Sequence, residues 1–216
     1  PDEANWSYNT GTGSNGWGNG EAQFYTDSPE NVIVEDGLLK ITARREEFGG
    51  SQFTSARIVS EDKFEFTYGR VDVRAKLPTG GGTWPAIWLL GEDYQTNTWP
   101  ACGEIDIMEH VGNEQDRIFS SLHFPGNFAG DAVTQSTDLP GASEDFHTYS
   151  VTWTEDFIRF LIDDEVYHTF ANNPDLPFNS DFFLILNVAM GGNFGGTIDP
   201  AFMESTMEID WVRVYQ

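Results

Sequence analysis

Apolar and polar residues alternate along this chain with a period of two far more often than with the helical period of 3.6, in short runs rich in Val, Ile and Phe. The pattern predicts strands at Val32–Val34 and Leu38–Ala43, flanking an Asp36-Gly37 hairpin signal, and at Phe53–Ser60, Lys63–Leu77, Trp84–Leu90, Gly103–Val111 and Ile118–Phe124. Further strands are expected at Phe146–Thr154, Phe157–Ile162, Glu165–Phe170, Phe182–Met190 and Thr206–Tyr215, with Tyr149 to Phe170 forming a three-stranded meander. Helical patterns of about twelve or more residues are absent, so the chain reads as an all-β sandwich or barrel rather than a βαβ fold. The glycine-rich stretch Asn9–Gly20 reads as a loop, and composition alone favours a slack connection over the edge of a site.

The chain has 216 residues, enough for one large β domain with a sizeable core. Its 39% hydrophobic and 14% aromatic content excludes a disordered acidic tail. With 11 Lys+Arg against 35 Asp+Glu the net charge is −24, which excludes a nucleic-acid partner or an anionic membrane surface. Cys102 is the single cysteine, without a disulfide partner or metal-type cluster, and reads as a small buried filler. No apolar run is long enough to cross a bilayer.

The most informative stretch is Gly103-Glu104-Ile105-Asp106-Ile107-Met108-Glu109-His110. In a regular strand Glu104 and Asp106 share one face and the isoleucines the other, which would bury Glu109 unpaired among apolar groups. One extra residue near Ile107-Met108, a β-bulge, returns Glu109 to the face of the other two acids. Three carboxyl groups that close cannot all stay ionised, and a neutral acid beside an ionised carboxylate is the equipment of a glycosidase. The competing reading is a solvated strand in an acidic protein. Trp84, Trp88 and Trp99 flank the cluster. Trp84 and Trp88, four apart, are either both core or both sugar platforms. His123 reads as a structural histidine or a cleft residue, and Arg57 as a ligand donor or the partner of an acid. No calcium loop of the Asp-x-Asp-x-Asp-Gly kind occurs, and the four His lack zinc-type spacing.

The segment Glu-Ile-Asp-Ile-Met-Glu, preceded by Trp99-Pro100-Ala101-Cys102-Gly103, resembles the active-site strand of glycoside hydrolase family 16 in its laminarinase branch. Motifs in the same order cover nearly the whole chain: Gly16-Trp17-Gly18-Asn19-Gly20-Glu21, Thr54-Ser55-Ala56-Arg57-Ile58, Trp84-Pro85-Ala86-Ile87-Trp88, Gly191-Gly192-Asn193 and the closing Asp210-Trp211-Val212-Arg213-Val214-Tyr215-Gln216. The resemblance implies a β-jelly-roll sandwich of two curved antiparallel sheets, concanavalin A-like, with the sugar chain in a concave cleft, and one catalytic domain over residues 1–216. It implies Glu104 as nucleophile, Glu109 as general acid/base and Asp106 as the group between them, with Arg57, Trp84, Trp88, Trp99 and His123 along the cleft.

It also implies a structural calcium in many relatives, held by the carbonyl at Gly37, the carboxylate of Asp210 and a group from a first N-terminal strand that has no match ahead of Pro1-Asp2-Glu3. No cofactor is expected for catalysis. Where laminarinases often carry Trp after Gly-Gly-Asn, this chain has Phe194. The reading is a secreted, monomeric, retaining endo-β-1,3-glucanase whose partner is a β-1,3-glucan. A mixed-linkage glucanase, an agarase-type hydrolase and a non-catalytic glucan-binding module are the alternatives.

Overall fold

The computed structural model describes all residues from Pro1 to Gln216. Its strands are β1 (Ser7–Asn9), β2 (Gln23–Tyr25), β3 (Val32–Glu35), β4 (Leu38–Phe48), β5 (Ser51–Ser55), β6 (Arg57–Val59), β7 (Glu65–Phe66), β8 (Gly69–Lys76), β9 (Thr83–Gly91), β10 (Glu104–His110), β11 (Arg117–His123), β12 (Val133–Asp138), β13 (His147–Trp153), β14 (Phe157–Ile162), β15 (Glu165–Ala171), β16 (Phe182–Met190) and β17 (Glu204–Tyr215). They form two sheets. The first runs β1-β6-β16-β9-β10-β11-β12 with β7 beside β16, and the second runs β15-β14-β13-β8-β17-β4-β5-β2 with β3 beside β4. All pairings are antiparallel except β2 with β5.

The inner faces of the two sheets meet in one apolar cluster of 35 buried residues. Alternate positions supply it: Leu184, Leu186 and Val188 from β16, Ile87 and Leu89 from β9, and Val71, Val73 and Ala75 from β8. Trp153, Phe178 and Phe182 fill one part of it in contact with each other. Full burial of such side chains contributes about 1.5–3 kcal/mol each, so the inner face fixes register.

Two predicted strands are broken where the chain changes sheets. Phe53–Ser60 becomes β5 in the second sheet and β6 in the first, divided at fully buried Ala56. Lys63–Leu77 becomes β7 and β8, divided at Tyr68 and Gly69 with φ of 62° and 132°. A Cβ on Gly69 would lie 2.4 Å from the Tyr215 carbonyl oxygen, so this crossing needs glycine. Both pieces of each run are half buried, so the apolar pattern continues through the corner and hides it. Strands β1, β2 and β12 carry no clear alternation and were not predicted. The meander of β13, β14 and β15 forms as expected.

The glycine-rich Asn9–Gly20 stretch is not slack. Five residues, Gly16–Gly20, close a tight π-type turn, and Trp17 folds back to donate Nε1–H to the Gly11 carbonyl (3.3 Å). Cys102 is buried and free, packed with Val59, Leu90, Phe183 and Ile185.

The basic residues concentrate on the outer face of the second sheet, each beside a carboxylate: Arg70 with Asp72, Arg74 with Asp210, Lys76 with Glu208 and Lys40 with Glu35. This bears on the calcium expected at Gly37 and Asp210. Asp210 sits in a bulge of β17 with its Oδ2 2.6 Å from Arg74 Nη1, and the nearby Glu208 and Glu35 are held by lysines. Calcium takes six to eight oxygen ligands. One carboxylate already neutralised by a guanidinium does not fit a resident ion, and melting temperatures in excess calcium and in excess chelator should coincide. A calcium-dependent rise would show that the ion displaces Arg74.

His110 ends the acid-bearing strand and turns inward. It is fully buried, and neither ring nitrogen has a hydrogen-bond partner. Burial pushes its pKa down to about 4. As pH falls below about 6.5 the unfolded chain takes up this proton and the native state refuses it until about 4, so stability falls across that window. At pH 5 the penalty is about 2 kcal/mol. Replacing His110 with Leu should remove it: denaturant midpoints at pH 7.5 and pH 5 should differ less for the variant than for wild type, and equal differences would refute the assignment.

Candidate active site

Gly103 opens the acid-bearing strand with φ of 81°, and a Cβ there would come within 2.9 Å of the Phe182 ring, so the approach to Glu104 requires glycine. On β10, Glu104 pairs with Leu90 and His123, and Asp106 with Trp88 and Ser121. The register then slips, and Glu109 pairs with Ala86 and Phe119. This is the predicted bulge. Ile107 and Met108 both join the core, and Glu109 returns to the outer face shared by Glu104 and Asp106.

Although this is the outer face of a sheet, its side chains are covered. Asp106 is 4% and Glu109 8% exposed, and Ser121 and Asn187 are buried beside them. Trp84 and Trp88 lie on the same face and not in the core. Trp84 Nε1–H donates to Glu109 Oε1 (3.0 Å), and Trp88 Nε1–H donates to Asn187 Oδ1 (2.7 Å). Ser121 Oγ donates to Glu109 Oε2 (3.4 Å). The Arg57 guanidinium lies between two indoles, 4.5 Å from the Trp17 ring centre and 4.8 Å from that of Trp88. It forms no ion pair within 4.0 Å, so it is not the partner of an acid; it is a stacked guanidinium, an arrangement neither reading had included.

His123 belongs to the cluster. Its Nε2 lies 3.1 Å from Asp106 Oδ2 and 3.6 Å from Glu104 Oε1. Its Nδ1 accepts the backbone N–H of Ala129 (3.1 Å). That contact fixes the neutral tautomer with the proton on Nε2, the ring nitrogen that faces the two carboxylates. Glu104, Asp106 and His123 offer three ligand-type atoms within 4.8 Å of one another. A metal would need the Nε2 lone pair that this tautomer occupies with hydrogen, so the three groups do not fit a metal centre. Trp99 packs against His123 (5.7 Å between ring centres) and is the most exposed of the expected cleft residues. Gly37 and Asp210 lie apart, on the second sheet.

All three carboxyl groups are pushed up to about 8. For Glu104 the causes are burial first and then the charge of Asp106, with His123 and Arg57 acting in the opposite direction. Burial is the cause for Asp106. For Glu109 burial leads, followed by the charge of Asp106, against the donors Trp84 and Ser121. The three titrate as a coupled group that holds proton and negative charge together near neutrality, which is what acid and nucleophile roles on neighbouring carboxyls require.

Sequence reasoning missed a supporting row. Glu21 Oε2 accepts Gln23 Nε2–H (2.6 Å) and Tyr25 Oη–H (3.2 Å), and Tyr25 Oη accepts Asn187 Nδ2–H (3.1 Å). Through Asn187 this chain of donors reaches Trp88. The available signals were Asn187, a lone amide in the apolar run Phe182–Met190, and the ordered motif that ends in Glu21. Phe119, the strand partner of Glu109, was also missed; it touches Phe194 (5.1 Å), the residue the resemblance had singled out, which in turn touches Trp84 (5.6 Å).

The sequence model of the glycosyl hydrolases family 16 matches residues 19–213. The chain is 42% identical to a beta-glucanase of Rhodothermus marinus, over 100% of this chain and 80% of that protein. It is 39% identical to the glucan endo-1,3-beta-glucosidase A1 of Niallia circulans, again over its full length but over 36% of that longer protein. Among solved structures, the laminarinase catalytic domain from Thermotoga maritima superposes with a TM-score of 0.94 at 40% identity, covering 100% of this chain and 92% of that one.

The raised carboxyl pKa values carry a stability signature. As pH rises through about 4 the unfolded chain releases these protons, whereas the native state keeps them until about 8. Stability contributed by the site is therefore lost as pH climbs through that window. The Asp106→Asn variant should gain melting temperature relative to wild type at pH 8 and little or nothing at pH 4. An equal shift at both values would place the effect in packing rather than ionisation.

Proposed function

The chain belongs to the glycosyl hydrolases family 16, and from that premise we infer that it is a retaining endo-β-1,3-glucanase that cuts laminarin-like β-glucans through a covalent glycosyl-enzyme. The observation that carries this reading is the set of three carboxyl groups on one bulged strand face, Asp106 and Glu109 buried and Glu104 partly open to solvent, flanked by two indoles that share that face.

In the first step Glu109, protonated, gives its proton to the leaving glycosidic oxygen while the Glu104 carboxylate attacks the anomeric carbon. The glycosidic bond breaks and an ester to Glu104 forms. Esterification removes the negative charge of Glu104 from beside the cluster, which lowers the proton affinity of Glu109. Glu109 then takes a proton from water, whose oxygen attacks the same carbon and frees Glu104. Two inversions at that carbon leave the β configuration. Asp106 sits between the pair, its Oδ2 3.1 Å from His123 Nε2, and its charge favours the protonated state of its neighbours. Trp84 orients the acid/base through Oε1, and Oε2, which Ser121 contacts, carries the proton. Trp88 and the stacked Arg57 line the cleft with an apolar wall and a fixed donor for sugar hydroxyls.

The enzyme acts outside the cell, because a polysaccharide of this kind is too large to enter one, and it acts as a monomer, since one chain supplies every group in the mechanism. No cofactor takes part in either step.

Incubated with laminarin, the wild type should release reducing ends whose first-formed anomer is β by proton NMR, and Glu104→Gln should lower kcat at least about a thousandfold. Rate should fall as pH rises through about 8, where Glu109 loses the proton it must donate. Binding of laminarin without product from wild type would move the assignment to a glucan-binding module, and α-anomer first would remove the covalent intermediate.

A further inference from the structure

Two side-chain donors of different kinds meet Glu109, and only one of them is fixed. Trp84 Nε1–H reaches Oε1 (3.0 Å), and an indole nitrogen can only donate. Ser121 Oγ lies 3.4 Å from Glu109 Oε2 and 2.8 Å from Thr134 Oγ1. Its single hydrogen therefore has two acceptors to choose between.

The bulge brings these groups together. Ser121 pairs with Asp106 on one side and with Thr134 on the other, and all three side chains share one face of the sheet. From this row β10 moves three residues to Glu109 while β11 moves two to Phe119, so Glu109 stands beside Phe119 and meets Ser121 on the diagonal. Ser121 is 4% exposed, whereas Thr134 lies on the edge strand β12 and is open to solvent. A buried hydroxyl needs a partner for every setting of its hydrogen, and an exposed one always has water.

Glu109 has to exist in two forms within one cycle, with a proton on Oε2 in the first step and without it in the second. A fixed N–H or a cation aimed at Oε2 would favour the ionised form alone. A hydroxyl can turn. We propose that Ser121 and Thr134 are positioning residues that form a reversible hydroxyl pair: Ser121 turns its hydrogen onto Glu109 Oε2 when that acid is ionised and onto Thr134 Oγ1 when it is protonated, so that both forms stay hydrogen-bonded in a site nearly closed to water. The proposal rests on the glucanase reading above. No O–H bond breaks in either setting. The two hydroxyls rotate, and the only proton transferred remains the one that Glu109 gives to the leaving oxygen and takes back from water. The distances fit the resting, protonated acid, with Ser121 closer to Thr134 than to Glu109.

Ser121→Ala removes a donor that ionised Glu109 uses, so the proton is held more tightly. The fall of kcat/KM on laminarin with rising pH should then move up from its place near pH 8 by about one pH unit, about a tenfold change in proton affinity. Ser121→Thr keeps the hydroxyl and should return the fall to its wild-type place. Thr134→Val leaves the Ser121 hydrogen with Glu109 as its one acceptor, which penalises the protonated acid, so the fall should move to lower pH. The charged groups around Glu109 stay in place in all three variants: Glu104 and Asp106 on β10, His123 on β11, Arg57 on β6 and Tyr167 on β15, with Arg117 and Asp138 opposite each other on β11 and β12. An unmoved fall in Ser121→Ala would overturn the proposal, as would shifts of the same sign in Ser121→Ala and Thr134→Val. Failure of Ser121→Thr to restore the profile would do so too, because the effect would then be one of packing. The same opposite shifts should appear when the Glu109 carboxyl carbon is titrated by 13C NMR in a Glu104→Gln background, which needs no turnover. If wild type cuts no laminarin the glucanase reading fails, and that titration still decides the pair: opposite shifts support it, and equal or absent shifts refute it.

Discussion

Removing three carboxyl groups from water on one strand face is the constraint around which this molecule is arranged. Burial penalises their charged forms, and their mutual repulsion adds to that penalty, so the cluster retains protons at pH values where isolated carboxylates have none. The native state is less stable for it than a sheet with apolar residues in the same places. What the arrangement supplies is a proton donor and an anion a few ångströms apart in a site with little water, where electrostatic interactions are strong.

Everything adjoining the cluster follows from keeping it dry and oriented. The bulge at Ile107-Met108 sends two consecutive apolar side chains into the core and so recovers the lost parity of Glu109. Trp84 and Ser121 each donate one hydrogen to Glu109, which limits the cost of desolvation without neutralising the charge. Arg57 is kept from forming a direct ion pair by its two indole neighbours, so its field reaches Glu104 without capturing it. The other cations are mostly occupied on the second sheet, where they tie neighbouring strands together through paired carboxylates. Charge in this strongly acidic protein is therefore segregated by sheet.

Several of these features were legible in the residues. The alternation of Val, Ile and Phe gave the strands of the meander and of β9, β10 and β16 nearly to the residue, because each has one face on the core and the pleat has a fixed period. The bulge was legible for the same reason: with the isoleucines inward, Glu109 has the wrong parity unless a residue is added. The Trp84–Trp88 spacing correctly placed both on one face, although it did not say which face. By contrast, Phe53–Ser60 and Lys63–Leu77 read as single strands and are pairs in different sheets. The glycine-rich Asn9–Gly20 stretch read as slack and instead seats Trp17 on Arg57.

What the sequence determined by itself was the all-β architecture, the face shared by Glu104, Asp106 and Glu109, and a family resemblance strong enough to name their chemistry. These depend on periodicity and on short ordered motifs, which are local. Only the tertiary structure decided that His123 faces the acids through Nε2, that Arg57 stacks rather than pairs, that Asp210 is taken by Arg74, and that Glu21, Tyr25 and Asn187 stand behind Trp88. Those contacts join residues up to 162 positions apart, and the period of a strand carries no information about which distant side chain will complete a hydrogen bond across the sheet.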